Sequence, residues 1–124
     1  MNVFLELHKK IMENLGQKQY VRDIGLLESA FHRPQWMFYY SKASLFKMVA
    51  GLGESIIKNH AFLDGNKRAG HLAIFMFLAI NGYDLVADDV YVEKITTSVM
   101  GVAAGDINID MFESWIASNV KKKE

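Results

Sequence analysis

Nine consecutive residues, His60 to Arg68 (HAFLDGNKR), hold a histidine, an aspartate, a glycine, an asparagine, a lysine and an arginine. That composition is wrong for a core segment and suits the handling of phosphate. Gly65 and Asn66 stand where an apolar helix should begin. The first free N–H groups of that helix and the positive end of its dipole then face the loop, which makes an anion site. Lys67 and Arg68 add two cations at the same end, where the dipole disfavours them unless an anion sits there; a polyphosphate is the anion that fits. Asp64, just before the turn, is placed to ligate Mg²⁺, which takes one or two carboxylates together with phosphate oxygens and water. His60, at the far end of the loop, carries an imidazole able to take a proton from a hydroxyl, an assistance worth ~10²–10⁴ in rate. Phe62, between them, points into the core and anchors the loop.

Each of these residues has a plainer reading when taken alone. Asp64 could be a simple helix N-cap, Lys67 and Arg68 solvated charges, and His60 a helix C-terminal cap. The conjunction of six chemically apt residues at one helix entrance is what a purely structural reading fails to explain. His71, three residues after Arg68 and on the same helix face, is either a border of the phosphate site or a packing residue at the core edge.

The elements that must position this loop are helical. Apolar residues recur three and four apart, and no stretch alternates with period two. Val3, Phe4, Leu7, Ile11 and Leu15 make a first stripe, closed by Gly16. A second helix spans about Ile24 to His32, with Leu27, Ala30 and Phe31 facing inward, and Arg33-Pro34 ends it because proline disfavours helical backbone before it. Residues 34–43 (PQWMFYYSKA) read as an irregular or extended flap. Their Trp36, Phe38, Tyr39 and Tyr40 are either packed or face a target or a partner. A third helix carries Leu45 to about Asn59. The loop then leads into a strongly apolar helix from about Asn66 to Asn81, stopped by Gly82 and expected to be the central, buried one. Asp88 or Asp89 caps a fifth helix bearing Val92, Ile95, Val99 and Val102, and Asn108 caps a sixth bearing Met111, Phe112, Trp115 and Ile116. The expectation is a single all-α domain over residues 1–124, of about six helices with a small flap.

Whole-chain properties narrow the function. A chain of 124 residues suits one compact domain with one core. Lys plus Arg and Asp plus Glu balance at 14 each, so no direct nucleic-acid binding is expected. The lack of cysteine removes disulfides, thiolate metal sites and a cysteine nucleophile, and suits a reducing cytoplasm. No basic-then-apolar leader pattern opens the sequence, and the apolar run from Leu72 to Ile80 is far short of the ~20 residues that span a bilayer. A cytoplasmic protein with no membrane partner is the expectation. Lys121 to Lys123 read as a solvated helix end, and His8 and His32 as capping or surface residues.

The loop resembles the active-site signature of the Fic/Doc superfamily: histidine, any residue, phenylalanine, any residue, acidic, glycine or alanine, asparagine, glycine or lysine, arginine. The likeness extends to Arg22-Asp23-Ile24-Gly25-Leu26-Leu27-Glu28-Ser29-Ala30 with Arg33-Pro34, and to Leu78-Ala79-Ile80-Asn81-Gly82-Tyr83, which are similar to the death-on-curing branch. The resemblance implies that His60 activates a target hydroxyl and that Asp64 ligates the metal bridging the nucleotide phosphates. It further implies that Asn66 and the Gly65–Lys67 backbone cradle phosphate, that Lys67 and Arg68 contact its charge, and that Phe62 anchors the loop.

Departures from the pattern separate the branches. Members that transfer AMP usually have a second glycine where this chain has Lys67, and a further arginine where it has His71. Lysine fills the space a glycine leaves for phosphate, and histidine cannot reproduce a bidentate arginine contact. Ala61 stands in place of a common proline. The resemblance therefore implies an ATP- and Mg²⁺-dependent phosphoryl transfer to a Ser/Thr hydroxyl of a translation factor such as elongation factor Tu, with AMP transfer as the alternative. Self-inhibition in the superfamily uses Ser or Thr four positions before a glutamate, a spacing absent here, so a separate antitoxin chain is the implied partner. Readings from other classes are a catalytically inactive binding module and a metal-dependent phosphohydrolase. The latter would need a His-Asp pair or an HExxH pattern, neither of which occurs.

Overall fold

A computed structural model describes the backbone of residues 1–85 and 89–123, and the side chains of all of these except 89–94. Among the described residues six helices follow one another: α1 (Asn2–Asn14), α2 (Ile24–Ser41), α3 (Leu45–Asn59), α4 (Asn66–Ile80), α5 (Asp89–Ala104) and α6 (Ile109–Ser118). Two short strands, β1 (Tyr83–Leu85) and β2 (Val120–Lys122), complete an all-α fold of the expected class. Among the described residues no helix is long and apolar enough to cross a membrane.

The centre is shared by α3 and α4. Helix α3 packs against α2, α4, α5 and α6, and α4 against α1, α3, α5 and β1. Glycines set how closely the two central helices meet. A Cβ on Gly53 would lie 2.5 Å from Ile74 Cδ1, and one on Gly70 would lie 2.5 Å from Ile57 Cγ1. One core cluster joins Val49, Ile57, Ile74, Leu78, Val102, Phe112 and Ile116; a second joins Phe4, Leu27, Leu52, Ile56, Phe62 and Ala73. Helix α4 is not covered on all sides, since Phe75 is 46% and Ile80 81% exposed.

Proline does not end α2. The helix continues to Ser41, with Pro34 buried inside it. An interior proline forfeits one helical hydrogen bond and costs ~3 kcal/mol or more. Packing on α3 offsets that cost. Leu27, Ala30 and Pro34 form a buried stripe, and Met37 continues it over Gly51, where a Cβ would lie 2.5 Å from its sulfur. Arg33 Nη1 donates to the Gly51 carbonyl at 3.1 Å, to Glu54 Oε1 at 3.1 Å and to Ser55 Oγ at 2.8 Å. The expected flap at 34–43 is therefore mostly helix, ended by Lys42 in the left-handed region at φ 52°. Trp36, Phe38, Tyr39 and Tyr40 lie on it more than half exposed, and Trp36 and Tyr40 stack one turn apart with centroids 5.3 Å apart.

The buried stripe of α1 is rotated from the expected one. Phe4, His8 and Met12 are buried, whereas Val3, Leu7 and Leu15 are exposed. A histidine can hold the core position because both ring nitrogens find partners. Gln19 Nε2, fixed in orientation by its bond to the Leu5 carbonyl (2.9 Å), donates to Nδ1 at 2.9 Å, and Nε2 lies 3.3 Å from the Gly65 carbonyl. His8 is thus neither a cap nor a surface residue.

The lysine tail is a strand rather than a helix end. It pairs antiparallel with β1, matching Tyr83 with Lys122 and Leu85 with Val120, and Lys123 Nζ reaches Asp84 Oδ1 at 3.5 Å. Side-chain caps fall where polar residues precede apolar runs: Asp23 on α2, Ser44 on α3 and Asn108 on α6. The cap expected at Asp88 or Asp89, and the Val92 side chain, lie outside the described residues.

Candidate active site

Helix α3 ends at His60, which takes the left-handed conformation at φ 54° and ψ 41°. The chain then turns through Ala61 and Phe62, both buried, and enters α4. Phe62 is buried, its ring 4.3 Å from that of His8 and 6.4 Å from that of Phe4. The loop is also tied along its backbone to residues 20–23. The Arg22 and Asp23 N–H groups donate to the Ala61 carbonyl at 2.7 and 3.0 Å, and the Leu63 N–H donates to the Tyr20 carbonyl at 3.0 Å. Val21 and Phe62 form an antiparallel bridge.

Asn66 closes the turn. Its Oδ1 accepts the Phe62 N–H at 3.1 Å and its Nδ2 donates to the Phe62 carbonyl at 2.9 Å. Both ends of the amide are thereby engaged with the loop backbone. Asp64 turns one oxygen back to the Gly65 N–H at 2.8 Å and is otherwise exposed. Gly65 adopts φ 78°, a conformation that suits glycine. A Cβ there would also strike Met12 Sδ at 2.7 Å and His8 Nε2 at 3.2 Å.

Helix α4 has Gly65 at its N-cap and so no side-chain cap, in contrast to α2, α3 and α6. Its first residues line a cleft of about 660 Å³. His60, Asp64, Gly65, Asn66, Lys67, Arg68 and His71 line one side of this cleft; Ile95, Thr96, Val99, Met100 and Ala103 of α5 line the other. Every site residue expected from sequence is therefore brought together here, except Phe62, which lies beneath in the core. His60, Asp64, Lys67 and Arg68 are exposed. His71 is half-buried on the cleft wall, and burial pushes its imidazole below the usual histidine pKa.

The cleft offers a positive helix terminus with two exposed cations, one carboxylate, one exposed imidazole and an opposite wall that is apolar apart from Thr96. Such a surface can seat a nucleotide by phosphate and by base. Its volume lies within the range of small-molecule sites, ~300–1,000 Å³.

Sequence reasoning missed three contributors. The α5 wall has an ordinary core pattern, and nothing in its spacing shows which helix it will face. Arg22, whose Nε donates to the His60 carbonyl at 2.8 Å, lies in the segment that resembles the death-on-curing branch but carries no role there. The His8–Gln19 pair that supports the Gly65 carbonyl could be found only by knowing that α1 crosses beneath the loop.

Residues 1–78 match the Fic/DOC family. Toxin Doc of Mycolicibacterium smegmatis (strain ATCC 700084 / mc(2)155) is 38% identical over 104 residues, covering 82% of this chain and 79% of that protein. With the loop, its helix entrance and most of the sequence in agreement, the chain belongs to the Fic/DOC family.

Proposed function

We propose that this protein is the toxin of a toxin–antitoxin pair, and that it transfers the γ-phosphoryl group of ATP to a Ser/Thr hydroxyl of a translation factor such as elongation factor Tu. The observation that carries the reading is the uncapped start of α4, opening between His60, Lys67 and Arg68 into a cleft of nucleotide size. The name of the mycobacterial relative, a toxin, supports the cellular role.

In this reading His60 takes the proton of the target hydroxyl as its oxygen bonds to the γ-phosphorus. The bond from that phosphorus to the β,γ-bridging oxygen breaks, and ADP leaves. The amides at the start of α4 and the Lys67 and Arg68 charges hold the phosphates. Asn66 acts mainly through its grip on Phe62, which shapes the turn, and contributes its backbone N–H to the cradle. The donors present fit Mg²⁺ arriving with the nucleotide. Asp64 has one carboxylate oxygen beyond its bond to Gly65, and no group of three His, Asp or Glu able to hold a metal occurs among the described residues. Bound there, Mg²⁺ would neutralise phosphate charge. His71, a border of the site, stands where AMP-transferring relatives place an arginine, and Lys67 where they place glycine; both favour phosphorylation over AMP transfer.

An antitoxin chain or the target would cover the exposed Trp36, Phe38, Tyr39 and Tyr40 face. Mass spectrometry of a bacterial lysate treated with the protein, ATP and Mg²⁺ reports target and added group together. One added phosphoryl group on a translation factor is the expected result; an added AMP indicates the nucleotidyl-transfer alternative. No added group, with growth arrest unchanged in His60→Ala, indicates an inactive binding module.

A further inference from the structure

His60 holds a backbone conformation that residues other than glycine keep only when their surroundings fix it. Among the groups that hold this turn, Arg22 is the one that reaches the His60 carbonyl. Its Nε donates to the His60 carbonyl at 2.8 Å, while its own backbone N–H donates to the next carbonyl, that of Ala61, at 2.7 Å. Arg22 thus touches two successive peptide planes after the imidazole, the second of them shared with the Asp23 N–H at 3.0 Å. The His60 carbonyl lies at the C-terminal end of α3, where carbonyls lack helical partners. A guanidinium there also meets the negative end of the helix dipole. Arg22 is in turn held by the Val21–Phe62 bridge on one side, and on the other by Asp23, whose side chain accepts the Leu26 N–H at 3.1 Å to begin α2.

We propose that Arg22 is a positioning residue for His60, bracing the peptide that follows it so that the imidazole stays on the cleft rim in one orientation. The inference rests on the reading of His60 as the base. The bond uses Nε, so the charge and the directed N–H both matter. Lysine keeps the charge and a donor but not the planar fork.

The test compares wild type with Arg22→Gln and Arg22→Lys by two readouts. The first is the HN–Hα coupling and chemical shifts of His60 by NMR without nucleotide, which needs no knowledge of the reaction. Arg22→Gln should move His60 toward averaged values, with Arg22→Lys in between. The second is steady-state transfer to elongation factor Tu. Here kcat should fall on the order of tenfold to a hundredfold in Arg22→Gln, with KM for ATP unchanged and partial recovery in Arg22→Lys. His60 signals identical to wild type in Arg22→Gln overturn the proposal whatever the activity. Displaced His60 signals with undiminished kcat overturn it as well, as does a loss of kcat that merely follows a fall in the thermal midpoint and is not recovered by lysine. If the wild type modifies nothing, the proposed reaction fails while the NMR comparison still decides whether Arg22 braces His60.

Discussion

Asn66 and Phe62 are joined twice, Oδ1 to N–H at 3.1 Å and Nδ2 to carbonyl at 2.9 Å, so that one side chain completes the backbone bonding of the turn before α4. Asn66→Ala would remove the partners that both part-buried Phe62 groups have in its side chain. The expected cost is about 1–3 kcal/mol for each group that water fails to satisfy. Urea unfolding should show the loss, and transfer activity should fall with it. A variant that is fully stable and fully active would contradict this role.

Gly65 is constrained by both backbone and space. An alanine there would carry the left-handed penalty of about 1–2 kcal/mol, and its methyl group would press on Met12 and His8. Gly65→Ala should therefore lower the thermal midpoint and weaken nucleotide binding together. Unchanged calorimetric values for both would show that α1 yields more readily than its burial suggests.

Acid should destabilise the fold through His8. Burial is the larger influence and holds its pKa below the ordinary 6.5; the bond to the Gly65 carbonyl opposes this in part. The folded state therefore keeps His8 neutral, and the unfolded chain binds the extra proton. This contribution is complete above about pH 6.5 and is lost as pH falls toward the folded value. His71 has the same sign, again from burial. The urea midpoint of the nucleotide-free protein should fall from about pH 7.5 to about pH 5, and fall less in His8→Gln. An equal fall in that variant would assign the acid sensitivity elsewhere.

Much of this site was legible because its chemistry is compressed into residues 60–68, and because helix periodicity is a local property. Helices α3 and α4 begin and end close to their expected bounds, and α6 begins where Asn108 was expected to cap it. The misreadings arise where distant contacts override local preference. Pro34 is buried inside α2 beside Arg33, which bonds to α3, and His8 is buried because Gln19 and Gly65 meet its nitrogens. The β1–β2 pair joins segments far apart in the chain, and three residues per strand are too few to show alternation. Arg22 and His60 are likewise 38 positions apart, a pairing that no local pattern contains.

The identity of the transferred group should depend on Lys67 and His71, which share the cleft. Lys67→Gly combined with His71→Arg should reduce γ-phosphoryl transfer at least roughly tenfold and raise AMP transfer, because backbone approach and a bidentate contact are restored. Product analysis showing the same ratio of the two groups as wild type would remove these positions from the account of specificity.

The most direct measurement incubates purified protein with elongation factor Tu and Mg²⁺, using ATP labelled on the γ-phosphate in one reaction and on the adenine in the other. Label from the γ-phosphate alone should appear on the factor, and none with His60→Ala. Adenine label on the factor would contradict phosphoryl transfer. Full γ-labelling by the His60→Ala variant would contradict the role of His60.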